Sequence, residues 1–172
     1  MLYSKTIETP IGEMLACAAE DGICLFLFTD SPDLNSELEK LQEAYQSPLQ
    51  EQTHAHLDLL EKQLKAYFEG AGQTFSVPLC PAGTDFQQKV WSQLQRIGYG
   101  RTISYKEQAQ ALGDLKALRA VASANGANKV PIIIPCHRVV GAKGSLTGYS
   151  GGLWRKKFLL DLESAQHKME FQ

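Results

Sequence analysis

The stretch Ser104-Tyr105-Lys106-Glu107-Gln108-Ala109-Gln110-Ala111-Leu112-Gly113-Asp114-Leu115-Lys116-Ala117-Leu118-Arg119-Ala120-Val121-Ala122-Ser123-Ala124-Asn125 decides the fold of the second half of the chain. Ser104 followed three residues later by Glu107 has the form of a capping box. In such a box each side chain satisfies a backbone N–H that the first helical turn leaves without a partner. It predicts a helix starting at Ser104. Gly113 stops that helix, and Asp114 is placed to cap a further helix from Leu115 to about Asn125. Two helices joined by a tight glycine-containing turn form a helix-turn-helix. Lys116 and Arg119 lie on the second helix, where a nucleic-acid reader carries basic side chains. A helical hairpin with no ligand has the same pattern, so this stretch alone leaves both readings open.

Upstream, Thr84 or Asp85 is the expected N-cap of a helix whose Phe86, Val90, Leu94 and Ile97 share a face, closed by Gly98 and Gly100. Before it, Pro81-Ala82-Gly83 reads as a linker. The first half opens with antiparallel strands between Tyr3 and Phe28. Thr9-Pro10-Ile11-Gly12 and Glu20-Asp21-Gly22 are turns, and Met14 to Ala18 and Ile23 to Phe28 are apolar runs of strand length. Ser31 and Pro32 open a polar helical stretch to about Tyr45. Leu57, Leu60, Leu64 and Phe68 recur at helical spacing, with Gly70 where a C-terminal cap belongs, and Phe75 to Leu79 is predicted as another strand. The fold class is therefore α/β of the α+β kind. A small antiparallel N-terminal sheet with helices occupies 1–83, a structural domain. A mostly helical, winged-helix-like helix-turn-helix domain occupies 84–172.

The charge changes sign at the same linker. Met1 to Gly83 holds 13 acidic and 4 basic residues, and Thr84 to Gln172 holds 6 acidic and 13 basic, so a half at −9 precedes a half at +7. Fixed positive charge displaces the counterions condensed on nucleic acid and so points to a polyanionic partner. A solvated basic surface has the same composition. The overall charge of −2 argues against a broadly basic coat but leaves room for a local basic face. No apolar run is long enough to span a bilayer. The first dozen residues lack the basic-then-apolar order of a signal peptide, so a cytoplasmic location without membrane association is expected. The four cysteines lack the spacing of a disulfide framework and are expected as free thiols.

Val130-Pro131-Ile132-Ile133-Ile134-Pro135 is an apolar, strand-like run bracketed by prolines, and it delivers Cys136-His137-Arg138 to one place. A cysteine nucleophile acts as the thiolate, and a histidine within relay distance can accept its proton. Neighbours on a strand point to opposite faces, so Cys136 and His137 communicate only if the chain bends or a water bridges them. A carboxylate on the far imidazole nitrogen would orient the histidine, with Glu163 and Asp161 on the last helix as candidates. The glycine-rich segment Gly141 to Gly152 lets backbone approach a flat ligand closely. It lacks the spacing of the common phosphate-binding fingerprints.

Pro135-Cys136-His137-Arg138-Val139-Val140 resembles the active-site signature of the O6-alkylguanine-DNA alkyltransferases. The resemblance extends over Thr84 to Glu163. It takes in Ser104-Tyr105, Arg119-Ala120-Val121, Asn125-Gly126-Ala127-Asn128 and Gly148-Tyr149-Ser150-Gly151-Gly152. The first half is similar more weakly, through Thr9-Pro10-Ile11-Gly12. The resemblance implies an irreversible, single-turnover methyltransferase acting in DNA repair. Cys136 would take a methyl or larger alkyl group from O6 of guanine, and the resemblance leaves O4-alkylthymine open as a further substrate. His137 would deprotonate Cys136 through a water, and Glu163 would hold His137. Tyr105 would donate to guanine N3 and crowd the rotated phosphate. Asn128 would brace the active-site turn. Backbone groups at Cys136, Val139 and Ser150 would form the pocket floor, with Tyr149 packed on the base, the small Gly148 leaving room and Lys156 nearby. Arg119 would fill the gap left by a flipped nucleotide, with Tyr105, Lys116, Ala120 and Ser123 also at the DNA. The partner implied is duplex DNA carrying O6-alkylguanine, met in the minor groove by a protein that is a monomer in solution. No cofactor is implied.

Some family members hold a structural zinc in the N-terminal half. Here Cys17, Cys24, His54 and His56 lack familiar zinc spacing, so no metal is expected. Three other readings are distinguishable. An alkyltransferase-like lesion-binding protein would replace the acceptor cysteine, and Cys136 is present. A cysteine hydrolase would not explain the helix-turn-helix. A plain helix-turn-helix protein would leave the Cys136–His137 pair idle.

Overall fold

The computed structural model describes residues 1–170, with side chains through Gln166. The chain separates into two compact units, Met1–Ala82 and Gly83–Gln172. The first unit opens with strands β1 (Leu2–Thr9), β2 (Gly12–Ala19) and β3 (Gly22–Phe28), followed by helix α1 (Leu34–Tyr45), strand β4 (Leu49–Glu51) and helix α2 (Ala55–Phe68). The sheet order is β3-β2-β1-β4. The first three strands are antiparallel, as read from the turns. The short β4 adds in parallel along the β1 edge, pairing Leu2 with Leu49. Leu57, Leu60, Leu64 and Tyr67 bury one face of α2. Ile7, Met14, Ala16 and Phe26 supply buried apolar surface from the strands.

Phe75 to Leu79 is not a strand. Only Leu79 pairs, in a single parallel bridge to Ile23, with Ile23 N–H on the Pro78 carbonyl at 2.8 Å and Cys80 N–H on the Ile23 carbonyl at 2.9 Å. Gly22 makes this approach possible. Its φ is +146°, and a Cβ there would sit 2.4 Å from the Pro78 oxygen. Any larger residue would push the 78–80 segment off β3.

The second unit holds helices α3 (Asp85–Leu94), α4 (Tyr105–Ala111), α5 (Leu118–Gly126) and α6 (Leu153–Glu170), with strands β5 (Ile103–Ser104) and β6 (Val139–Val140) paired in parallel. Thr84 caps α3 in a full capping box with Gln87, and Ser104 caps α4 in a full box with Glu107. Asp114 accepts from Lys116 N–H, but the turn it caps, Leu115–Ala117, is a 3-10 turn. The α-helix proper begins at Leu118. Val90, Trp91 and Leu94 of α3 and Val121 and Ala124 of α5 are buried. Phe86, expected on that face, lies at its exposed end, and Trp91 takes the central place. Trp91 also donates its indole N–H to the Ala124 carbonyl at 2.9 Å, which ties α3 to α5.

The apolar run before Cys136 is a tight turn rather than a strand. Pro131 bridges Ile134, Ile134 N–H reaches the Val130 carbonyl at 2.9 Å, and Ile132 sits at φ 77°. A β-branched residue at positive φ is strained by about 1–3 kcal/mol, so the surroundings must hold it there. Asn128 does so. Its amide N–H donates to the Ile134 carbonyl at 2.7 Å while its Oδ1 accepts from Val130 N–H at 2.9 Å.

Candidate active site

This braced turn delivers Cys136 into a 3-10 turn, Cys136–Arg138, at the wall of a cavity of about 340 Å³. Tyr105, Ala122, Asn125, Gly126, Gly148, Tyr149 and Ser150 line the rest. Four elements far apart in sequence therefore converge here: the start of α4, the end of α5, the Cys136 turn and the glycine-rich loop. The loop is pinned from two sides. The Tyr105 hydroxyl donates to the Thr147 carbonyl at 3.1 Å, and Lys156 Nζ donates to the same oxygen at 2.7 Å and to the Gly148 carbonyl at 3.3 Å. Gly148 has φ +57°, and a Cβ on it would lie 3.1 Å from the Tyr105 hydroxyl, so a side chain would crowd the cavity mouth.

Behind Cys136 runs a buried polar chain. His137 Nε2 and Glu163 Oε2 are 2.6 Å apart, and both side chains are essentially inaccessible. Arg138 grips the same carboxylate with two N–H groups, at 2.8 and 3.1 Å, and gives a third to the Ile97 carbonyl at 2.6 Å. Burial pushes the Glu163 carboxyl up, but the hydrogen bonds from His137 and Arg138 and the positive charge beside it outweigh it and bring its pKa to about 2. Burial holds the His137 imidazolium below its ordinary range despite Glu163. A neutral imidazole facing an ionised carboxylate must carry its proton on Nε2, which leaves Nδ1 with a lone pair. Nδ1 is buried and has no hydrogen-bond partner among the described residues. It is a base waiting for a proton.

Burial pushes the Cys136 thiol up, while a hydrogen bond from Asn128 and the positive charge of Lys156 act in the opposite direction. Burial in turn lowers the Lys156 ammonium, and Cys136 opposes that shift. The pair forms a thiol kept protonated at rest, with a nearby cation that favours the thiolate as it forms. The Tyr149 hydroxyl is buried without a described partner.

The residues expected from the sequence fall into several places. Cys136, Tyr105, Gly148, Tyr149 and Ser150 line the cavity, and His137, Glu163, Asn128 and Lys156 support it. Val139 is fully buried in β6 and does not line it. Lys116, Arg119, Ala120 and Ser123 are exposed along the outer side of α5 and the turn before it. Asp161, the other candidate carboxylate, pairs with Lys157 at the surface. Arg138 was not anticipated, nor was the amide pair Gln108–Asn125. Those two side chains exchange two buried hydrogen bonds of 2.8 Å, and Asn125 then faces the cavity. Their polarity reads as surface in sequence. The only available signal was their inward position on helices α4 and α5.

Two family models cover nearly the whole chain. The 6-O-methylguanine DNA methyltransferase ribonuclease-like domain matches residues 2–81, and the DNA binding domain of the same name matches residues 85–165. The chain belongs to the 6-O-methylguanine DNA methyltransferase family. Among individual relatives, the constitutive methylated-DNA–protein-cysteine methyltransferase of Bacillus subtilis is 43% identical, over 98% of this chain and 99% of its own length. The methylated-DNA–protein-cysteine methyltransferase of Methanosarcina acetivorans is 41% identical over 95% of this chain and 99% of its own. The crystal structure of Mycobacterium tuberculosis O6-methylguanine methyltransferase superposes with a TM-score of 0.82 at 38% identity, covering 96% of this chain and 94% of that one. A second M. tuberculosis structure, of OGT in complex with DNA, gives 0.80 at 38% identity, over 95% of this chain and 94% of that one.

Proposed function

We propose that this protein repairs alkylated DNA by moving an alkyl group from O6 of guanine in duplex DNA onto Cys136, once per molecule. The observation that carries the reading is the Cys136 thiol at the wall of a nucleobase-sized cavity, backed by a histidine whose Nδ1 is unpartnered and whose Nε2 is held by Glu163. The Cys136 proton passes through a water to His137 Nδ1, and Glu163, held in place by Arg138, stabilises the resulting imidazolium. The thiolate sulfur attacks the alkyl carbon, a carbon–sulfur bond forms, and the carbon–O6 bond breaks. Its electron pair moves into the guanine ring, where the Tyr105 hydroxyl, released from the Thr147 carbonyl, donates to N3. The thioether is not hydrolysed by any group in the cavity, so the protein is consumed.

The alkyl carbon is hidden in stacked DNA, so the nucleotide has to be flipped into the cavity. The exposed side of α5 suits this. Arg119 is long enough to occupy the vacated space, while Ala120 and Ser123 are small enough for the helix backbone to lie close against a groove floor. Lys116 stands ready for phosphate. The minor groove is the favoured site, because a lesion sensor gains from a surface that discriminates sequence weakly. The protein is read as a cytoplasmic monomer. No helix among the described residues is long and apolar enough to cross a membrane.

Equimolar protein and duplex containing O6-methylguanine, followed by digestion and peptide mapping, test the reading. The methyl group is expected on the Cys136 peptide; a methyl group on any other residue contradicts it. Methylation is also expected to destabilise the fold by about 1–3 kcal/mol, because the added group crowds a close-packed turn and removes the thiol as a partner for Asn128. Comparison of urea midpoints before and after reaction checks this, and an unchanged midpoint counts against it.

A further inference from the structure

The bridge between Ile23 and Leu79 brings a second pair of thiols together, in the first unit. One residue beyond the bridge on each segment stand Cys24, at the β-bulge of β3, and Cys80, and both side chains pack in the same apolar cluster. Neighbouring strands lie about 4.8 Å apart, within the span that a disulfide bridges without backbone movement. Cys24 Sγ donates to the Cys17 carbonyl at 3.3 Å, and the Cys24 and Cys80 thiols and the Tyr45 hydroxyl interact electrostatically. Cys24 is 2% exposed and packs with Cys17, Leu25 and Leu41, whereas Cys80 is half-buried at the edge of that cluster. Among the described residues no group of three His, Cys, Asp or Glu side chains is gathered to hold a metal.

We propose that Cys80 and Cys24 form a redox-active dithiol, in which Cys80 takes the oxidant and Cys24 resolves it to a reversible disulfide. The accessible sulfur lies beside the Cys24 thiol and the Tyr45 hydroxyl, two groups that favour its thiolate. The hydrogen bond from Cys24 lowers the Cys80 pKa, burial raises it, Tyr45 lowers it again, and it settles at about 7. Hydrogen bonding to Cys80 and burial push the Cys24 thiol up, so Cys24 stays protonated until it is used.

With a hydroperoxide as oxidant, the Cys80 thiolate attacks the outer oxygen. The O–O bond breaks, the alcohol or water leaves with a proton, and Cys80 becomes a sulfenic acid. Cys24 then attacks that sulfur, the S–S bond forms, and the S–O bond breaks. Hydroxide leaves and takes up the Cys24 proton as water. In sum, two thiols and one hydroperoxide give a disulfide, an alcohol and water. This chemistry is separate from alkyl transfer at Cys136, whose thiol burial keeps protonated.

The test treats the full chain with equimolar hydrogen peroxide, blocks remaining thiols with iodoacetamide and maps the peptides. The expected product is a Cys24–Cys80 cross-linked peptide that dithiothreitol reverses, with Cys136 still alkylated by iodoacetamide. Cys24→Ser is expected to leave a sulfenic acid on Cys80 that dimedone traps. Before oxidation, Cys80 is expected to react with iodoacetamide roughly fivefold faster than an ordinary exposed thiol, its greater thiolate fraction being partly offset by weaker nucleophilicity. Tyr45→Phe, at an exposed position, is expected to reduce that advantage. Oxidation of Cys136 ahead of Cys80, or oxidised Cys80 without a link to Cys24 in the unsubstituted protein, overturns the proposal.

Discussion

Glu163→Ala is expected to lower the unfolding free energy by about 3–5 kcal/mol, the range for removing one partner of a buried ion pair. The cost is high because Arg138 spends two of its three hydrogen bonds on this carboxylate and would be left charged, buried and half-satisfied. The same substitution frees His137 to rotate and removes the anion that stabilises its protonated form. Alkyl transfer is therefore expected to slow by about a hundredfold or more, the usual contribution of a positioned general base. Glu163→Gln separates the two effects, since it keeps the shape and loses the charge.

The pH dependence follows from the same group. Glu163 is ionised in both folded and unfolded chains above its ordinary value of 4.5, so its contribution is complete there. It is lost as pH falls from 4.5 towards about 2, where the folded form also takes up the proton. That loss is on the order of 3 kcal/mol. His137 adds to it from a higher pH, because the unfolded chain protonates this imidazole near its ordinary 6.5 while the fold resists. Urea midpoints between pH 7 and 2 should fall in the unsubstituted protein and fall less below pH 4.5 in Glu163→Gln. Equal acid slopes would show that the carboxylate is not held as described.

Arg119→Ala is expected to slow repair in duplex DNA by about a hundredfold while leaving reaction with free O6-benzylguanine within about twofold. Extruding a nucleotide costs a few kcal/mol, and about 3 kcal/mol of that, returned by a side chain that fills the gap, corresponds to a factor of about a hundred. Arg119 is exposed on α5, outside the cavity lining, so its loss should not disturb the thiol, the histidine or the fold. Equal loss on both substrates would place Arg119 in the chemistry or the fold instead. A loss that vanishes at low salt would reduce it to a phosphate contact.

Much of this site could be read in the sequence, because local rules govern several of its parts. Thr84 with Gln87 and Ser104 with Glu107 place the starts of α3 and α4 through side-chain caps that depend on a few consecutive residues. Cys136 and His137 are adjacent, and the resemblance supplied Glu163 as the third member of the chain. What escaped depends on contacts between distant segments. β4 is three residues long and forms only because the β1 edge accepts it, so no alternation marks it. Phe75 to Leu79 has strand composition but meets a partner at Leu79 alone. Val130 to Pro135 is as apolar as a strand, yet Asn128 folds it into a turn with Ile132 at positive φ. Arg138, Gln108 and Asn125 are polar residues whose burial is explained only by the partners they meet in the fold.

The central claim is that Cys136 is an acceptor used once. Its most direct test gives the protein an excess of duplex carrying radiolabelled O6-methylguanine and follows the label to completion. The expected result is a plateau at one methyl group per protein molecule, held on Cys136, with no transfer in Cys136→Ser. Repair that continues past one equivalent, or label released as methanol, would contradict it.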